Sequence, residues 1–152
     1  GRVIGIDIEI RPHNRTAIEA HPMKTRIELI EGSSTAPDVV EQVKAQIKPG
    51  ETVLVVLDSN HTKGHVLDEL RAYADMVPVG SYIVATDGIM EQVAGGPRTA
   101  EDWTWNNPRQ AVHDFVAEDK RFIIEEPTFP FNEGVVNSRV TYWPDAFVKR
   151  IA

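Results

Sequence analysis

The chain has no cysteine among its 152 residues. That absence removes disulfides, thiolate metal sites and thiol nucleophiles together, and it fits a cytoplasmic protein. No apolar run approaches the ~18 residues a bilayer-spanning helix needs, so no membrane partner is expected. A basic excess is lacking too: 16 Lys and Arg stand against 23 Asp and Glu, a net charge of -7. That balance argues against general nucleic-acid binding, which calls for a basic surface. No internal repeat or low-complexity tract is evident, and no signal peptide is expected, because Gly1-Arg-Val-Ile-Gly-Ile-Asp7 enters a strand at once. A chain of this length, 41% apolar, suffices for one domain with a full-sized core. Its start inside a strand leads us to expect a single α/β domain over residues 1–152, the C-terminal part of a longer protein.

What is present is a rhythm of short apolar runs that end in acids. Thr52-Val-Leu-Val-Val-Leu-Asp58-Ser-Asn-His61-Thr-Lys-Gly-His65 delivers a carboxylate at the end of a buried strand and two histidines directly after it. Ser81-Tyr-Ile-Val-Ala-Thr86-Asp87 repeats the pattern. Continuous apolar strands of this kind are buried on both faces in parallel sheets covered by helices. Ligands of such sheets sit beyond the carboxyl ends of the strands, where Asp58, His61 and Asp87 fall. Strands are expected over residues 3–6, 26–31, 53–57 and 82–85, and helices over 12–20, 37–47 and 63–74, a β-α alternation that implies a parallel, doubly wound sheet. Residues 88–107, with Gly95-Gly96-Pro97, Trp103 and Trp105, are long for a connection and read as a lid. A helix over 109–118 follows. Residues 122–126 and 139–143 read as two strands too closely joined for a crossover, hence an antiparallel pair.

A parallel sheet finishing in an antiparallel hairpin, with acids at successive strand ends, resembles the class I S-adenosylmethionine-dependent methyltransferases. Asp58-Ser-Asn-His61, His65-Val66, Glu69-Leu70, Gly80-Ser81-Tyr82, Asp87, and Phe131-Asn132-Glu133-Gly134 before Val140-Thr-Tyr-Trp-Pro144 together are similar to the cephalosporin hydroxylase family, which groups with rhamnosyl-type sugar O-methyltransferases. The resemblance runs over essentially the whole chain. It implies a Rossmann-like sheet ordered 3-2-1-4-5-7-6 and an O-methyltransferase acting on a hydroxyl of a sugar or small natural product. It also implies S-adenosylmethionine as cofactor and Mg²⁺ as an optional metal.

Position by position, the resemblance implies that Asp7 holds the ribose hydroxyls of the cofactor, as a carboxylate can by accepting two hydrogen bonds from a diol. Ser33 and Ser34 would lie beside its adenine. Asp58 and Asp87 would hold a divalent metal, whose oxygen-ligand chemistry suits Mg²⁺. Such a metal lowers the pKa of a substrate hydroxyl, and His61 is placed as general base or substrate ligand. Two departures bear on this. Thr86 stands where metal-binding members tend to carry a second acid, so weak Mg²⁺ binding is expected. The glycine-rich loop after the family's first strand does not occur in these residues. The expected consequences are an open ladder between the 3–6 and 53–57 strands, met by rearrangement or homo-oligomer formation, and a fragment inactive by itself.

Plainer roles stand beside these. Asp58 can cap a turn, Ser33 and Ser34 can fill a loop, and Asn132-Glu133-Gly134 can make the last hairpin turn. His61 and His65 share the spacing of a zinc pair but lack an obvious third ligand, which leaves His65 a structural role. Two other functions stay open: a hydroxylating tailoring enzyme, for which no two-histidine, one-carboxylate iron set is evident, and a non-catalytic α/β module that binds a partner.

Overall fold

The computed structural model describes residues 1–126 and 140–152, and the turn expected at Asn132-Glu133-Gly134 lies outside them. The chain divides into two compact units, Gly1–Gly50 and Glu51–Ala152.

The first unit is built on two parallel strands, β1 (Val3–Asp7) and β2 (Ile27–Glu31), paired from Val3 with Ile27 to Asp7 with Glu31. Helix α1 (Pro12–Glu19) connects them and starts on a proline, whose missing N–H is no loss in a first turn. Helix α2 (Pro37–Gln46) begins the same way, with Asp38 in its first turn and Lys44 in its last, both favourable to the helix dipole. Its Val39 and Val43 are buried, one turn apart, as is Ile30 of β2. Gly32 lets α2 approach: a Cβ there would lie 2.7 Å from Val39 Cγ2, at a φ of +150°.

In the second unit, β3 (Val55–Leu57), β4 (Tyr82–Ala85), β5 (Phe122–Ile124) and β6 (Phe147–Arg150) form one sheet in the order β3-β4-β6-β5. The β3–β4 pair is parallel, and β6 runs antiparallel to both its neighbours. This is the 4-5-7-6 half of the expected sheet, as β1 beside β2 is its 2-3 pair. Helix α3 (Lys63–Tyr73) buries Val66, Leu70 and Tyr73 at helical spacing, and α5 (Pro108–Glu118) buries Ala111, Val112 and Phe115. With Ile83, Phe122 and Val148 these belong to the buried core, each large apolar side chain contributing ~1.5–3 kcal/mol by leaving water. The rings of Phe115 and Phe122 pack 5.1 Å apart at 54°. Helix α5 is capped by Asn107, whose side chain accepts the Gln110 N–H, with Pro108 in the first turn.

The last strand differs from expectation. The partner of β5 is β6, and residues 140–143 belong to no strand, with Val140 and Tyr142 largely exposed. Pro144 and Asp145, at a φ of +58°, turn the chain first. The strand then forms where Val148 can be wholly buried, so packing decides over the stronger β propensity of Val140-Thr-Tyr-Trp143.

Candidate functional site

Leu57 pairs with Ala85, so the residues just beyond them, Asp58 and Thr86-Asp87, leave the sheet at the same end. The Thr86 N–H carries the ladder one step further by donating to the Leu57 carbonyl at 3.1 Å. Asp87 then takes a left-handed conformation, φ +59°, which Asp tolerates better than most residues. His61 is presented by a tight turn in which the Asn60 side-chain oxygen accepts both the Thr62 N–H, at 3.0 Å, and its hydroxyl, at 2.9 Å.

The structure thus brings Asp58, His61 and Asp87 together. His61 Nε2 lies 3.2 Å from Asp87 Oδ2 and 3.4 Å from Asp58 Oδ1. One ligand atom from each of the three falls within 4.8 Å of the others. Bonds of about 2.1 Å to a common ion place neighbouring ligands ~3.0–3.4 Å apart, the range of the two separations from His61 Nε2. The set contains one imidazole and two carboxylates, not the two-histidine, one-carboxylate arrangement of an iron oxygenase. The imidazole is the better sheltered group; the Asp58 side chain is two-thirds exposed.

Thr86 also belongs to this site. It is buried, and its Oγ1 lies 2.7 Å from Asp58 Oδ1 and 3.0 Å from the Leu57 carbonyl. Beside Asp58, the Ser59 hydroxyl donates to Glu69 Oε1 at 2.7 Å, and His65 Nε2 lies 3.2 Å from Ser59 Oγ and 3.4 Å from Glu69 Oε1. His65 is therefore held by the buried Glu69 on its own helix rather than by His61's partners.

A cavity of about 460 Å³ opens beside the cluster. Asn60, His61, Thr62, Asp87, Asp102 and Asn106 supply its polar wall, and Ile89, Met90, Val93 and Trp103 its apolar one. The apolar side comes from the stretch expected as a lid, which holds the short helix α4 (Met90–Val93) and a 3-10 turn, Glu101–Thr104. Two asparagines anchor it: Asn106 Oδ1 accepts the Lys63 N–H at the start of α3 (2.8 Å), and Asn107 Nδ2 donates to the Trp103 carbonyl (2.8 Å). Trp105 remains exposed.

Arg109 fixes α4 from outside the cavity, reaching Glu91 at 2.9 Å and Asp145 at 2.7 Å. Gln110 donates to the other Glu91 oxygen, and His113 Nε2 lies 2.9 Å from Asp145. Burial works against the Asp145 charge, but hydrogen bonds from Arg109 and His113 outweigh it and hold the carboxyl below its ordinary range.

The remaining candidates belong to the first unit. Asp7 ends β1, and its Oδ1 accepts the Glu9 N–H at 3.0 Å while its carbonyl accepts the Gly32 N–H at 2.8 Å. Ser33 and Ser34 follow Gly32 at the same end of that two-stranded sheet, both half-buried, with Ser33 Oγ 3.1 Å from Thr35 Oγ1. Sequence reasoning missed the asparagine anchors and the contact made by Thr86; Asn106 and Thr86 meet partners 43 and 28 residues away, which only the fold brings near.

Comparison with known proteins places this geometry in context. The family described as rhamnosyl O-methyltransferase/CmcI matches residues 1–151. A rhamnosyl O-methyltransferase of Mycobacterium leprae (strain TN) is 32% identical over 103 residues, covering 61% of this chain and 44% of that protein. One from Mycobacterium tuberculosis (strain ATCC 25618 / H37Rv) is 31% identical over 101 residues, 60% of this chain and 40% of that protein. The chain matches less than half the length of these relatives. Among solved structures, the MycE methyltransferase from the mycinamycin biosynthetic pathway, in complex with Mg and SAH, shares the fold at a TM-score of 0.55 and 19% identity, over 99% of this chain and 38% of that one. Its complex with Mg, SAH and mycinamycin VI gives 0.56 at 20% identity, over 99% and 36%.

Proposed function

The chain belongs to the rhamnosyl O-methyltransferase/CmcI family, and from that premise we propose that the protein transfers a methyl group from S-adenosylmethionine to a hydroxyl of a sugar or small natural product. We read residues 1–152 as one methyltransferase domain, since the family match runs through both units. The observation that carries the reading is the meeting of His61 with Asp58 and Asp87 at the mouth of a half-apolar cavity.

The chemistry asks little of the protein beyond placement and one proton. The acceptor oxygen forms a bond to the methyl carbon as the carbon–sulfur bond breaks, leaving an ether, S-adenosylhomocysteine and a proton. His61 takes that proton at Nε2. Holding the hydroxyl in line with the methyl group supplies much of the remaining acceleration. Ile89, Met90, Val93 and Trp103 pack on the acceptor's apolar face and exclude water, while Asn60 and Asn106 hydrogen-bond its hydroxyls. Asp7 holds the cofactor ribose, with Ser33 and Ser34 beside the adenine.

Asp58 and Asp87 would hold a divalent cation, which supplies a Lewis acid that lowers the pKa of the acceptor hydroxyl. The donor set supports this role, and the MycE structures, described as complexes with Mg and SAH, make Mg²⁺ the first ion to test. Among the described residues no helix is long and apolar enough to cross a membrane. A cytoplasmic location goes with the proposed cofactor, which is made there.

The direct experiment follows label from methyl-labelled S-adenosylmethionine into a panel of glycosylated acceptors, using the full-length protein and His61→Ala. Transfer by the wild type and its collapse in the variant is the expected result. Unchanged transfer in His61→Ala would remove the proposed base.

A further inference from the structure

We infer that Thr86 is a positioning residue whose buried hydroxyl fixes the Asp58 carboxylate for His61 and for a cation at the same site. The inference rests on reading Asp58, His61 and Asp87 as the working groups. Thr86 offers a single hydroxyl hydrogen, and two acceptors lie within reach: Asp58 Oδ1 at 2.7 Å and the Leu57 carbonyl at 3.0 Å. The Leu57 carbonyl already receives the Thr86 N–H at 3.1 Å. A hydrogen bond to an ionised oxygen is also shorter and stronger than one to a neutral carbonyl. The hydrogen therefore goes to Asp58.

The oxygen so held is the one that faces His61, 3.4 Å from Nε2. Without this bond, a side chain two-thirds exposed to solvent would exchange among rotamers. Thr86 itself cannot follow such motion. Its side chain is β-branched and stiff at χ1, it is 2% exposed, and its backbone continues the β3–β4 ladder. A neutral residue at this position thus trades the charge an acid would add for a fixed orientation of Asp58. Partners of this kind, one step behind a ligand, govern how well the ligand performs.

The test uses the full-length protein with Thr86→Val, which keeps the shape without the hydroxyl, Thr86→Ser, which keeps the hydroxyl, and Asp58→Ala. Without added metal, the Thr86 hydroxyl proton is expected as a slowly exchanging NMR resonance that is lost to fast exchange in Asp58→Ala. A resonance unchanged in Asp58→Ala would put the hydrogen on Leu57 and overturn the inference. With Mn²⁺ as a paramagnetic probe, Thr86→Val is expected to bind about tenfold more weakly than the wild type, while Thr86→Ser stays within about twofold. Equal binding by Thr86→Val, or a serine variant as weak as the valine one, would also overturn it. A wild type that takes up no Mn²⁺ would refute the cation reading alone, and the hydroxyl resonance would then decide the role of Thr86.

Discussion

His61 and Asp87 meet across two strand ends, Nε2 to Oδ2 at 3.2 Å, although one follows β3 and the other follows β4. The contact exists because β3 and β4 are parallel neighbours in register, so whatever follows each strand emerges at one edge. As the proposed base, His61 has a measurable weight. Replacing His61 by Asn keeps a polar side chain of similar size but removes the proton acceptor. Methyl transfer is expected to fall about 10²–10⁴-fold with the melting temperature nearly unchanged. Initial rates and a thermal melt on the same preparation check both halves.

Mg²⁺ is expected to stabilise the protein only slightly. Two carboxylates, with the neutral Thr86 beside them, give a hard cation that dehydrates reluctantly less than three carboxylates would. Even at ten times the dissociation constant, a bound ion adds only about 1.4 kcal/mol. Thermal melts with increasing Mg²⁺ should show a shift only at millimolar concentrations, and a large shift at micromolar ion would show that Thr86 does not weaken the site.

The legible parts of this protein were those written locally. The β4 strand falls on the expected residues 82–85, and Asp58 and Asp87 stand at strand ends because an apolar run followed by an acid is a contiguous signal. The contact of Thr86 with Asp58 was not legible, since it joins residues 28 apart and needs the register of Leu57 with Ala85. From the sequence, Thr86 registered only as a missing acid. The position of β6 was hidden for a related reason: Val140-Thr-Tyr-Trp143 looks more strand-like than Phe147-Val-Lys-Arg150, and only the slot between β4 and β5 selects the latter.

The two tryptophans of the 88–107 stretch should behave differently. Trp103 lines the cavity and Trp105 is 60% exposed. Trp103→Ala removes an apolar wall worth roughly 1–3 kcal/mol to a bound acceptor, so KM is expected to rise about tenfold or more. Trp105→Ala should leave KM within about twofold, as an exposed side chain away from the cavity would. Steady-state kinetics on both variants, with acceptor varied, separates them.

Gly88 is expected to resist substitution. An alanine Cβ there would sit 2.8 Å from the Pro144 carbonyl oxygen and 3.3 Å from Arg109 Cβ. Backbone cannot step aside as a flexible side chain can, so Gly88→Ala should cost about 1–3 kcal/mol. Because Gly88 follows Asp87 directly, activity should fall with stability. Urea unfolding gives the first quantity, and an unchanged midpoint would show that the segment around Pro144 moves freely.

The network that fixes α4 should make stability sensitive to acid. Arg109 and His113 hold Asp145 below the ordinary carboxylate range in the folded state. A group with a depressed folded pKa contributes stability that is fully present above its unfolded value, about 3.9, and is lost as pH falls through the folded one. Asp145→Asn removes the charge while keeping an acceptor, and Asn tolerates the +58° φ at this position, so backbone strain does not confuse the comparison. The variant is expected to be about 1–3 kcal/mol less stable than the wild type at pH 7, because its hydrogen bonds are no longer charge-assisted. The gap should start to narrow as pH drops below about 4 and close as it falls through the lower folded value, where the wild-type carboxyl takes up its proton. Urea midpoints at pH 7, 5 and 3 for both proteins measure this directly. A difference that stays constant over that range would mean that Asp145 acts through its shape and not through its charge.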